Sequence, residues 1–88
     1  MIEKEFVIDN EAGLHARPAA TLIKVADTFN SEIRIIKGNK IGNAKSLLSV
    51  LALGIFKGNK ILIQIDGSDE ISALYRITRL IENNFEEE

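Results

Sequence analysis

The only histidine of the chain, His15, lies two residues before an arginine and three before the only proline, in the run Gly13-Leu14-His15-Ala16-Arg17-Pro18-Ala19-Ala20. A neutral imidazole is a nucleophile, and a nearby guanidinium is a natural partner for phosphate oxygens. After His15 the apolar residues take up helical spacing, so the ring sits at or just before a helix N-terminus. The N–H groups of a first helical turn lack intrahelical partners. With the positive end of the helix dipole they form an anion site. A phosphate carried on the ring would meet the N–H groups of Ala16 and Arg17 and the Arg17 side chain. Each residue taken singly also has an ordinary reading: a surface histidine, a solvated Arg17 or Lys24, and a Pro18 suited to a first turn.

Composition excludes several other chemistries. The 88 residues contain no cysteine and one histidine, so disulfides, thiolate metal sites and multi-histidine zinc centres are not available. No metal and no cofactor is expected. A formal net charge of -2 argues against nucleic acid as a partner. No apolar run approaches the roughly 18 residues of a membrane span, and the charged start Met1-Ile2-Glu3-Lys4-Glu5 is unlike a signal peptide. The expectation is one domain over residues 1–88: a cytoplasmic monomer with no membrane contact.

The elements that must position His15 can be read from periodicity. Ile2 to Ile8 alternates, with Ile2, Phe6 and Ile8 inward and Glu3, Glu5 and Val7 outward, interrupted by Lys4 near the end of the row. Asp9 to Gly13 is a loop. Residues from Ala16 to Phe29 predict a helix with Ala19, Leu22, Ile23, Ala26 and Phe29 on its apolar stripe. Ile33 and Ile35 mark a second strand and Ile41 a short third one, joined by a Lys37-Gly38-Asn39-Lys40 hairpin. Ser46 caps a short helix carrying Leu47, Leu48, Leu51 and Ala52, which a left-handed Gly54 ends. After a Gly58-Asn59 turn, Ile61, Ile63 and Ile65 form the inner row of a fourth strand. Ser68 or Asp69 caps a last helix with the stripe Ala73, Leu74, Ile77, Leu80 and Ile81, and the tail Glu86-Glu87-Glu88 frays. The order β-α-β-β-α-β-α makes an α+β, two-layer domain of the split βαβ kind, with one sheet face in water.

The segment Gly13 to Ala19 resembles the active-site motif of HPr, the histidine-containing phosphocarrier family of the bacterial phosphoenolpyruvate-dependent sugar phosphotransferase system. Asn43-Ala44-Lys45-Ser46-Leu47-Leu48 resembles a second HPr stretch and falls at the expected distance from the first. With length and element order, the resemblance covers essentially the whole chain. It implies an open-faced β-sandwich with antiparallel strand order 1-4-2-3 and three helices on one face. It implies a phosphocarrier, not an enzyme, that takes phosphate on Nδ1 of His15 from phosphorylated Enzyme I, with help from Arg17, and passes it to a histidine of Enzyme IIA proteins. In part of the family, the serine matched by Ser46 is phosphorylated by an ATP-dependent HPr kinase/phosphorylase, and that form binds a catabolite-control transcription regulator. Members with that kinase more often have Ile-Met-Gly after the serine, where this chain has Leu47, Leu48 and Ser49.

Leu47, Leu48 and Leu51 cannot all face inward from so short a helix. Some of them predict an exposed apolar docking patch beside His15, completed by Ala20 and by a basic rim of Arg17, Lys24 and Lys45 that suits an acidic partner. The plainer alternative makes two of the three leucines core. Two other functions compete with the carrier. One is a regulatory binding module acting through phosphorylated Ser46; relatives specialised in that way lack the acceptor histidine. The other is a small acylphosphatase-like hydrolase, for which the chain has no Gly-rich loop with an arginine near its start.

Overall fold

Period-two alternation decides which face of each strand is dry, and helical periodicity supplies the stripes that cover it. The computed structural model describes residues 1–86. Its elements are β1 (Ile2–Val7), α1 (Ala16–Ala26), β2 (Glu32–Lys37), β3 (Lys40–Asn43), α2 (Leu47–Ala52), β4 (Lys60–Asp66) and α3 (Glu70–Glu82). The strands form one antiparallel sheet in the order β1-β4-β2-β3, with the three helices over one face, as the family resemblance implies. Phe6 lies opposite Ile61, and Ile33 and Ile35 lie opposite Ile65 and Ile63, so the inner rows of three strands come into register. Leu22 and Val25 of α1 and Ile77 and Leu80 of α3 close over those rows. Lys4 sits at the edge of the inner face, exposed, with its ammonium 5.3 Å from the centre of the Phe6 ring. No helix of the described residues is long and apolar enough to cross a membrane.

The structure departs from the periodicity in four places. α1 ends at Ala26, one turn before Phe29. The amides of Thr28 and Phe29 bond to carbonyls three residues back, and the Thr28 hydroxyl donates to the Val25 carbonyl at 2.7 Å, so the chain tightens and turns there. Val25 is then fully buried, and Ile23 and Phe29 only pack against the core from its edge. All three leucines of α2 are exposed; Val50 and Leu53 fill the core beneath them. Phe85, beyond the last helix, is also core. Asn84 and Phe85 both take left-handed backbone, at φ 57° and 64°, which folds the ring back inward. Burying it outweighs a conformational cost of roughly 1–2 kcal/mol per residue. Of the predicted frayed tail, Glu87 and Glu88 lie outside the described residues.

Asp69 occupies the N-cap position of α3 but does not cap it with its side chain. The carboxylate instead accepts hydrogen bonds from Asn30 N–H (2.8 Å), Ser31 N–H (3.0 Å) and the Ser31 hydroxyl. Three donors from the segment after α1 therefore hold the start of α3. Ser31 is buried, and Gly67 lies so close that an added Cβ would come within 2.6 Å of Ser31 Cα. The Ser31 hydroxyl first, then the Asn30 N–H, holds the Asp69 carboxyl below its ordinary range. A depressed carboxyl pKa contributes stability that is present above the unfolded value and is lost as pH falls through the folded one. Asp69→Asn should therefore lower Tm at neutral pH, and the difference from the parent chain should close as pH falls below about 4. Thermal melts from pH 7 to pH 2 check this; a constant difference across that range would mean the carboxylate charge plays no part.

Candidate functional site

The loop between β1 and α1 is held by its own backbone and by the segment after α2. Gly13 has φ 61°, a conformation that glycine adopts without strain. Its α-carbon lies so close to that segment that an added Cβ would come within 2.5 Å of the Ile55 carbonyl oxygen and 2.8 Å of Phe56 Cα. Leu14 N–H donates to Ile55 C=O at 3.0 Å, Gly13 N–H to Asn10 C=O at 3.0 Å, and the Asn10 side-chain amide to Gly13 C=O at 2.9 Å. Leu14 is buried as a plug between the two segments. The ion pair Lys57–Glu11, at 2.9 Å, joins them at the surface. The carboxyl of Glu11 is lowered and the ammonium of Lys57 raised, each chiefly by the hydrogen bond to the other.

His15 follows directly as the N-cap residue of α1, with extended backbone (φ -91°, ψ -168°) and an exposed ring. Its side chain makes no capping bond, so the ring is not used to satisfy the helix. The first intrahelical bond runs from Ala19 N–H to His15 C=O at 2.8 Å. Pro18 has no N–H. The helix therefore leaves two first-turn amides without an intrahelical acceptor, those of Ala16 and Arg17. Arg17 is exposed, and its guanidinium makes no ion pair with another described residue. It lines an open cleft of about 590 Å³ between the start of α1 and the turn after α3, shared with Asn10, Thr21 and Asn84. An exposed ring, two amides and a guanidinium within one turn can hold a dianionic tetrahedral group. Among the described residues no three His, Cys, Asp or Glu side chains gather as a metal site would need.

The two helices beside this site run in opposite directions. The start of α1 is held against Ile55 and Phe56, just past the end of α2. Its far end is tied to the start of α2 by the Lys45 ammonium, which donates to the Phe29 carbonyl at 2.6 Å. Ser46 caps α2 as expected, accepting from Ser49 N–H at 3.2 Å. Ser46 and Lys45 therefore lie at the end of α2 away from the His15 loop, and six residues of α2 span about 9 Å. Lys45 is half-buried and its ammonium is engaged, so it braces α2 more than it extends a charged rim. Ala20 and Lys24 are exposed on α1. Leu47, Leu48 and Leu51 are 42%, 81% and 37% exposed, so the alternative placing two of them in the core does not hold.

Periodicity missed a charge pattern that the residue order contains. Residues 12–26 and 37–60 carry seven of the eleven basic side chains and none of the thirteen acidic ones. These are the stretches that hold the His15 loop, α1, β3, α2 and the turn after it. The small net charge conceals a strongly basic stretch and an acidic remainder.

Known proteins match this arrangement along its whole length. The PTS-HPr family model, described as the PTS HPr component phosphorylation site, matches residues 2–83. A curated relative from Treponema pallidum (strain Nichols), named phosphocarrier protein HPr, is 40% identical over 88 residues, all of both chains. The crystal structure of HPr-C-His from Thermoanaerobacter tengcongensis superposes with a TM-score of 0.95 at 42% identity, covering 100% of this chain and 99% of that one. A second structure from that organism, described as an HPr dimer, matches with a TM-score of 0.79 at 41% identity over 99% of this chain and 100% of the other.

Gly13→Ala tests how the loop is held. The new methyl would meet backbone atoms, which cannot move aside as the end of a side chain could, and it would impose a left-handed strain of roughly 1–2 kcal/mol in addition. The expected result is a Tm lowered by several degrees, with NMR shift changes concentrated at residues 13–17 and 55–56. A variant as stable as the parent, with those signals unmoved, would show that the close approach does not fix the loop.

Proposed function

Since the chain belongs to the HPr family of phosphocarriers of the phosphotransferase system, we propose that His15 accepts a phosphoryl group from phosphorylated Enzyme I and passes it to Enzyme IIA proteins. The observation that supports this most is the exposed His15 ring, free of any capping bond, next to the Ala16 and Arg17 amides. In the first transfer the Nδ1 lone pair attacks phosphorus. The N–P bond to His15 forms as the bond to the donor group breaks, and the donor takes the electron pair. Attack requires the tautomer with its proton on Nε2, since a protonated Nδ1 has no lone pair to give. The two amides then donate hydrogen bonds to the phosphoryl oxygens and the Arg17 guanidinium offsets their negative charge, without closing the site to the next partner. Transfer to Enzyme IIA is the same step in reverse, with the roles exchanged. The chain alone turns over nothing, so it is a carrier and a substrate of its neighbours. It acts as a cytoplasmic monomer, with no metal or cofactor in the transfer.

Incubation with phosphoenolpyruvate and Enzyme I should add one phosphate that is labile in acid and stable in base, as a phosphoramidate is. His15→Ala should abolish it with little change in Tm, because an exposed ring contributes little packing. Mass spectrometry before and after acid treatment reads both outcomes. Acid-stable label surviving in the variant would end the carrier reading.

Regulation at Ser46 by an HPr kinase/phosphorylase, with recognition by a catabolite-control transcription regulator, fits the same face. Ser46 leads directly into exposed Leu47 and Leu48. A phosphate there adds about -1.5 to -2 charge within an otherwise basic stretch. At about 9 Å, the length of α2, the direct Coulomb effect through water is well under 1 kcal/mol per unit charge. The expected effect therefore acts through docking more than on the His15 ring. Ser46→Asp keeps an N-cap acceptor, so it should melt no earlier than the parent. Phosphorylation by Enzyme I should slow by roughly thirtyfold, about 2 kcal/mol, and recover in part at high salt. A variant labelled as fast as the parent would leave Ser46 a plain cap.

A further inference from the structure

We propose that Asn10 is a positioning residue for phosphoryl transfer, acting through one peptide unit on the backbone that carries the His15 ring; the inference rests on the carrier reading above. The peptide between Gly13 and Leu14 is held at both ends. Its carbonyl accepts from the Asn10 side-chain amide at 2.9 Å, and its N–H donates to the Ile55 carbonyl at 3.0 Å. Only the nitrogen of the Asn10 amide can donate to a carbonyl, so the orientation of that amide is fixed. Gly13 makes the first of these restraints necessary. With φ 61° and no Cβ, it lets the peptide that follows rotate at little cost unless something holds the oxygen. Next come Leu14, which is buried, and His15, whose carbonyl accepts the first helical bond. Turning the Gly13–Leu14 peptide would therefore displace Leu14 or redirect the start of α1, and the ring with it.

Stability does not account for this side chain. The Asn10 backbone carbonyl already closes the turn by accepting from Gly13 N–H at 3.0 Å. An asparagine that opens a turn ordinarily uses its side-chain oxygen to accept a nearby backbone N–H. Here Oδ1 is buried with no hydrogen-bond partner, the one such side-chain atom among the described residues. A buried orphan acceptor costs about as much as one good hydrogen bond returns, so the side chain as a whole adds little to folding. What it supplies is a single donor, aimed at the peptide two bonds of chain direction away from the nucleophile's own residue. A polar group left unsatisfied in this way is expected where function, and not packing, decides the residue.

The test is a rapid-quench measurement of phosphoryl transfer from phosphorylated Enzyme I to the intact chain, over a range of chain concentrations. Asn10→Ala should lower the saturating rate about tenfold, while the half-saturating concentration stays within about twofold of the parent value. Its Tm should change by no more than about 2 °C, because the lost bond and the removed orphan acceptor offset each other. Asn10→Asp gives a second reading, on the unphosphorylated chain. A carboxylate cannot donate to the Gly13 carbonyl, whereas the protonated acid can. At the Leu14 and His15 amides, NMR shift differences from the parent at the same pH should be large at pH 7. They should shrink as pH falls below about 4. An unchanged saturating rate in Asn10→Ala, with the parent labelled normally, overturns this inference alone. A raised half-saturating concentration at an unchanged saturating rate also overturns it, since Asn10 would then serve docking. A Tm lowered as far as in Gly13→Ala would make the side chain a part of the fold and overturn it too. So would Leu14 and His15 signals that Asn10→Asp leaves unmoved at pH 7. A parent chain that takes no label at all overturns the carrier reading, and this inference with it.

Discussion

The arrangement depends on one close approach, the contact of the Gly13–Leu14 backbone with Ile55 and Phe56. No side chain fits between them, one amide–carbonyl bond crosses the gap, and Leu14 is buried beside it. That contact determines where α1 begins and in which direction its first amides point. A histidine placed one residue earlier would sit in the buried Leu14 position, and one placed later would lie inside the helix with its amide already at the site. Only at position 15 does the ring stand outside the helix on the residue that directly precedes the Ala16 and Arg17 amides. Pro18 strengthens the effect: it extends the first turn without adding an N–H, so that turn leaves two backbone donors without an intrahelical acceptor and no more.

Much of this was legible in the residues. Element order, the N-cap roles of His15 and Ser46, the left-handed Gly54 and the inner row Ile61, Ile63 and Ile65 follow from local rules, because each rests on the chain's own φ, ψ and period. What was not legible comes from contacts distant in sequence. Phe29 has the right spacing to extend α1, but a threonine hydroxyl and two tightened turns end the helix first. Asp69 looks like a cap, yet Asn30 and Ser31 supply three donors from 38 or more residues away and take its carboxylate. Phe85 reads as tail, and only the left-handed turn at residues 84–85 returns it to the core. The antiparallel run of α1 and α2, which separates Ser46 from the His15 loop, has no local signature.

The docking surface shows the same division. That three leucines could not all be core was clear from helix length; which residues replaced them, Val50 and Leu53, was not. The charge pattern was readable throughout, but only the fold shows that α1 and α2, which lie within those two stretches, pack against each other. The molecule thus separates two tasks. Its sheet and the Asp69 clamp carry stability. Its helical end carries the exposed His15 ring and the exposed Leu47, Leu48 and Leu51, which the proposed carrier role would use.

The central claim is that a phosphoryl group on His15 is received by the Ala16 and Arg17 amides. The most direct measurement is a pair of 1H–15N NMR spectra of the labelled chain before and after phosphorylation by Enzyme I. The account predicts phosphate on Nδ1 of His15, the largest downfield amide shifts at Ala16 and Arg17, and no movement at Asn30 or Ser31. Phosphate on Nε2, or amide shifts at Ala16 and Arg17 no larger than elsewhere in α1, would contradict it.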